Sequence, residues 1–283
     1  MSDGLNSIVS TQWLADHLSA PDVRVVDGTY YLPNENKNAR ELYEEQHIEN
    51  AVFFDIDDIS DETNPLPHMI PSDIKFASRV RKLGLGDGNR IIVYDQRGLF
   101  SAARVWWMFK LFGHKDVAVL DGGLPKWLLE NHPVDDNKVY PGERHFTPRF
   151  NSFLVRDQGQ LIKNLDTKKE QVLDARAAGR FTGETPEPRA TLRSGHIPGS
   201  LSLPFTDLLN EEGVLKSTED LRTLFEKAGV DYSKPIVTSC GSGVTAAVLS
   251  LGLELTDHKN ISLYDGSWTE WGQEGETPVE TGS

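Results

Sequence analysis

The chain holds one cysteine in 283 residues, so no internal disulfide is open to it. A reducing compartment fits that composition, and a cytoplasmic location is expected. No apolar run approaches the roughly 18 residues that a membrane helix needs. Positive charge is scarce too: 29 Lys and Arg stand against 43 Asp and Glu, for a net charge of −14. Such a chain repels polyanions on average, which argues against direct nucleic-acid binding. A small anionic ligand would need a local cationic pocket, and Arg176, Arg180, Arg189 and Arg193 fall in one short stretch. The opening Met-Ser-Asp-Gly-Leu-Asn-Ser has an acid and no base, unlike a secretory signal or an Arg-rich transit peptide. Mitochondrial import by another route stays open.

What is present is a globular profile, 38% hydrophobic and 25% charged, at a length that suits one large domain or two ordinary ones. The chain says most things twice. Residues 23–27 answer 171–174, residues 46–55 answer 195–204, residues 90–95 answer 235–240, and residues 114–123 answer 258–267, in the same order. Two occurrences are too few for a solenoid and read as a duplicated domain. The stretch 133–148 is rich in Pro, Asp, Asn and Gly, which places a boundary near residue 145, with units 1–145 and 146–283. Each half alternates short apolar runs with amphipathic segments. Helices are expected from Ser10 or Thr11 through His17, over 72–82, through Val105–Phe109, over 218–228 and from Val244 to Leu255. Buried strands are expected at 91–94 and 236–238. That alternation predicts a mainly parallel sheet covered by helices on both faces.

The lone thiol, Cys240, follows the apolar run Pro-Ile-Val-Thr-Ser and precedes Gly-Ser-Gly. It therefore sits at the C-terminal end of a parallel strand, where open α/β sheets bind ligands. Gly241-Ser-Gly243 lets successive N–H groups turn inward, and the following helix adds its unpaired donors. Such a loop favours an anion, a thiolate included. A lone cysteine is more often an inert buried hydrophobe, but strand, Cys, Gly-x-Gly and helix together form a nucleophile geometry. The equivalent place in the first half is Asp95, so one half carries a nucleophile and the other does not. A phosphate-clamping Cys-x5-Arg loop would need arginine where Ala246 stands, and a dinucleotide fingerprint would need a third glycine there.

At these residues the chain resembles the two-domain sulfurtransferases of the rhodanese superfamily. The resemblance rests on the loop Cys240-Gly-Ser-Gly-Val-Thr-Ala246, on His196-Ile-Pro-Gly199 and on Tyr264-Asp-Gly-Ser-Trp-Thr-Glu-Trp271. It extends to Phe53-Phe-Asp-Ile-Asp57 and Pro67-His-Met69. It implies two tandem rhodanese-like domains and transfer of the sulfur of 3-mercaptopyruvate through a persulfide on Cys240, without cofactor or metal. The acceptor would be a thiol, thioredoxin or cyanide. Gly241, Gly243, Val244 and Thr245 would line the sulfur. Arg180 and Arg189 resemble the family's carboxylate-binding pair, while Arg193 reads as solvated surface. Ser242 would act with His68 and Asp57 of the first domain in a proton relay. The branch that takes thiosulfate carries basic residues where Gly241 and Ser242 sit, which weighs against that substrate. A further alternative is a relay that hands its persulfide to a sulfur-carrier protein, for example for tRNA thiolation. The tryptophans 106, 107, 127, 268 and 271 read as packing residues.

Overall fold

The computed structural model describes residues 6–282. The chain separates into two compact units. The first takes the chain up to Thr63, then Ile70–Asn151 and Glu211–Val214; the second takes Asn64–Met69, Ser152–Asn210 and the chain from Leu215 onward.

In the first unit five strands form one parallel sheet. They are β1 (Ile8–Val9), β2 (Val23–Asp27), β4 (Val52–Phe53), β5 (Arg90–Tyr94) and β6 (Val117–Leu120), in the order β1-β6-β5-β2-β4. A small antiparallel ribbon joins β3 (His47–Ile48) to β7 (Val134–Asp135). The helices are α1 (Thr11–His17), α2 (Ala39–Glu45), α3 (Asp73–Lys82), α4 (Ala102–Leu111) and α5 (Gly123–Leu129). Ser10 caps α1 and Ser72 caps α3 through their hydroxyl oxygens, as the sequence suggests for α1. Alternate strand residues face opposite ways. Val23, Val25, Ile92, Tyr94, Ala118 and Leu120 pack with Leu14, Tyr43 and Trp127 of α1, α2 and α5. Phe76 of α3, Phe109 of α4 and Phe112 just after α4 form an aromatic cluster with Phe54 and Phe146.

The second unit repeats the plan. Strands β8 (Val155–Arg156), β9 (Gln171–Asp174), β10 (Leu201–Ser202), β11 (Ile236–Ser239) and β12 (Ile261–Tyr264) are all parallel, in the order β10-β9-β11-β12-β8. Helices α6 (Gln158–Thr167), α7 (Ala178–Thr182), α8 (Thr218–Lys227), α9 (Ala246–Leu255) and α10 (Ser267–Trp271) follow. Read from the opposite edge, the strand order matches that of the first unit, with β5 answering β11 and β2 answering β9. All five tryptophans named above are buried.

Three details depart from expectation. The first unit continues to Asn151 rather than ending at 145. Phe146 is buried in its aromatic cluster, and the amides of Arg149 and Asn151 donate to Phe112 and Leu111. His68 belongs to the second unit, because 64–69 packs there. Helix α9 starts at Ala246, two residues later than expected.

Candidate active site

Strand β11 is central in its sheet and flanked by β9 and β12. Its end delivers Cys240, a free thiol 2% exposed, to the strand–helix turn. The turn is pinned from below. The Cys240 amide donates to Ser267 Oγ at 3.2 Å, and the amides of Trp268 and Thr269 donate to the carbonyls of Cys240 and Gly241 at 3.0 and 2.8 Å. Ser267 in turn donates to the Tyr264 carbonyl at 2.8 Å and holds a left-handed φ of 47°. Gly243 takes φ 76°, the left-handed conformation that bends the loop, and its first-unit counterpart Gly98 takes 102°.

Among the described residues, the N–H groups of Ser242, Val244, Thr245 and Ala246 donate to no protein acceptor. The first unit shows what such a loop holds. There Asp95 occupies the place of Cys240, and its carboxylate fills the turn. Oδ2 accepts from the amides of Phe100, Ser101 and Ala102 at 2.7, 2.9 and 2.9 Å, and Oδ1 from Arg97 at 2.9 Å. Arg97, Phe100 and Ser101 stand where Ser242, Thr245 and Ala246 stand in the second unit. One copy closes its amides on its own anion; the other leaves them for an anion on or near sulfur.

The arginine stretch resolves into distinct roles. Arg176 is fully buried and closes on both oxygens of Asp174, Nε at 3.1 Å from Oδ1 and Nη2 at 2.7 Å from Oδ2, and donates to the Gly195 carbonyl at 2.8 Å. Its Nη1 donates to Glu187 Oε1 at 2.8 Å. Burial pulls this guanidinium down, but the two carboxylates outweigh burial and the net displacement is upward. Glu187 also accepts from Arg180, at 2.6 Å from Nη2 and 3.2 Å from Nε. Arg180 abuts the sulfur loop: a Cβ built on Gly241 would stand 3.1 Å from its Nη2. Arg189 makes no ion pair among the described residues and lines a depression of about 450 Å³ with Leu66, Pro67, Thr269 and Glu274. Arg193 is not solvated surface as expected; it is partly buried and donates to the carbonyls of Trp271 and Thr277.

Of the expected relay, Ser242 is buried in the loop, and His68 is buried in the second unit with a left-handed φ of 61°. Asp57 belongs to the first unit, exposed in the turn after β4, its amide on Asp55 Oδ1 at 3.1 Å. Sequence reasoning missed Asp174, Glu187 and Ser267 as site builders, and named Arg176 only as one of four clustered arginines. The signal for Asp174, Arg176 and Glu187 was an alternation of opposite charges along 174–189.

The family described as rhodanese-like domain matches the chain twice, over residues 10–130 and 157–274. The chain is 44% identical to 3-mercaptopyruvate sulfurtransferase of Homo sapiens over 94% of its length and 91% of the relative. It is 42% identical to thiosulfate sulfurtransferase of Bos taurus, again over 94% and 91%. The crystal structure of SseA from Escherichia coli, a 3-mercaptopyruvate sulfotransferase, aligns with a TM-score of 0.86 at 42% identity, covering 94% of this chain and all of that one.

Proposed function

The chain belongs to the rhodanese family, and from that premise we propose that it takes the thiol sulfur of 3-mercaptopyruvate onto Cys240 as a persulfide and passes that sulfur to a thiol acceptor. The Cys240 thiolate attacks the substrate sulfur. The carbon–sulfur bond breaks, its electron pair leaves as pyruvate enolate, and a proton converts the enolate to pyruvate. An acceptor thiolate then attacks the outer sulfur and releases Cys240. The observation that carries this reading is the uncommitted set of amides at Ser242, Val244, Thr245 and Ala246 in the turn after Cys240, three of which, Ser242, Thr245 and Ala246, answer residues that grip a carboxylate in the first unit. Donors fixed in place stabilise an anionic sulfur without a side-chain cation.

In this reading Gly241, Gly243, Val244 and Thr245 shape the sulfur cradle. Arg189 offers its planar fork to the substrate carboxylate, and Arg180 stands over Gly241 as the second cation. Ser242 and His68 pass the proton to the leaving carbon; Asp57 enters only by likeness to the family's relay. Thioredoxin and a sulfur-carrier protein are candidate acceptors beside small thiols. Thiosulfate turnover is the related activity, and the uncharged Gly241-Ser242 pair weighs against it as the preferred reaction.

The test is the intact mass of the protein after exposure to 3-mercaptopyruvate. One added sulfur is expected, located on Cys240 and absent from Cys240→Ser. An unchanged mass, or a sulfur retained in the variant, would end this reading.

A further inference from the structure

A guanidinium set against the sulfur loop attracts doubly charged anions more strongly than singly charged ones. Arg180 is so placed, 3.1 Å from where a Gly241 Cβ would stand. Glu187 counters it. Its side chain is 2% exposed, so water screens it little, and it contacts Arg180 at 2.6 Å and Arg176 at 2.8 Å. Arg176 is closed on Asp174 as well. The cluster thus pairs two carboxylates with two guanidiniums, and its charges cancel beside the loop. Gly241 and Ser242 add no charge, and Arg193 turns to main-chain carbonyls at Trp271 and Thr277. Arg189 forms no ion pair among the described residues.

We infer that Glu187 sets the charge selectivity of the sulfur loop: by cancelling Arg180 it favours a singly charged 2-oxo acid over a dianionic sulfur donor such as thiosulfate. The inference rests on the sulfurtransferase reading above. Glu187 acts through Arg180, so it is a positioning and specificity residue rather than a catalytic one.

The experiment compares kcat/KM for thiosulfate with kcat/KM for 3-mercaptopyruvate in the unaltered protein, Glu187→Gln and Arg176→Gln. Glu187→Gln frees one positive charge beside Gly241, and the ratio rises by about tenfold. Arg176→Gln removes one, and the ratio falls by about the same factor. A merely structural role lowers both substrates together and leaves the ratio unmoved in both variants; that outcome overturns the inference. If the buried variants do not fold, Arg180→Gln serves, since this side chain is 23% exposed. It uncovers the Glu187 carboxylate, so the ratio should fall, and an unchanged or raised ratio overturns the inference. Sulfur loading of Cys240 in the unaltered protein, read by mass, separates the two failures: without loading the sulfurtransferase reading fails, and with loading but an unmoved ratio only the role of Glu187 fails.

Discussion

A buried carboxylate that accepts four main-chain N–H groups organises the backbone around it, and Asp95 is such a group. Asp95→Ala strands those donors without water or partner. We expect a loss of about 3 kcal/mol or more in urea unfolding of the first unit. A loss below about 1 kcal/mol would mean that the turn is held by its flanking strand and helix rather than by the anion. The corresponding residue of the second unit behaves oppositely: Cys240→Ser should leave the urea midpoint nearly unchanged while abolishing sulfur transfer. Arg189→Lys replaces a two-pronged donor with a point charge, and KM for 3-mercaptopyruvate should rise by about tenfold. An unchanged KM would place this side chain outside the substrate's reach. Cys240 and its glycines were legible because their neighbours in sequence are their neighbours in space. Glu187 was not. Its partners lie 7 and 11 residues back, and a glutamate between prolines in a polar stretch reads as surface until two arginines fold over it.

At the level of elements, the β11–α9 turn does what neither the strand nor the helix does alone. The strand brings the sulfur to the sheet's carboxyl edge, and the late start of α9 leaves amides from Ser242 to Ala246 outside the helical ladder. The first helical contacts, Ala247 to the Val244 carbonyl at 3.3 Å and Val248 to Thr245 at 3.0 Å, span three residues, a tight entry turn. Periodicity of apolar residues marks Val244 as helical because it is buried, yet the turn geometry belongs to the loop; a hydrophobic pattern does not separate the two. Gly243 makes the bend at φ 76°. Gly243→Ala should cost about 1–2 kcal/mol in stability, and it should slow sulfur loading more than it weakens the fold, because the amides turn with the backbone. Loading at the unaltered rate in stopped-flow assays would contradict that. The boundary near residue 145 shows the same limit: Pro, Asp, Asn and Gly suggest a linker, but Phe146 among them packs into the preceding aromatic cluster.

Across the whole molecule, duplication supplies an internal control, because each position can be compared with its twin. Duplication was readable from four paired segments, and the two sheets share one strand order. The last residue of β2 is Asp27 and that of β9 is Asp174, and both are buried. Asp174 has Arg176 beside it. Among the described residues Asp27 has only neutral donors: the Thr29 amide at 2.9 Å, the Gln96 side chain at 3.4 Å and the hydroxyls of Thr29 and Tyr94. Burial dominates those bonds and pushes its carboxyl from the ordinary 3.8 up to about 6. The folded state therefore holds this proton more tightly than the unfolded chain does. The stabilisation from the protonated form is complete below pH 3.8 and is lost as pH rises through about 6. The swing is about 3 kcal/mol. Asp27→Asn removes it, since an amide carries no titrating proton. Between pH 4 and 7 the unfolding free energy of the unaltered protein should fall relative to the variant by about that amount. A constant difference across the range would show that Asp27 is already ionised in the fold, with a compensating cation that its twin alone was thought to have.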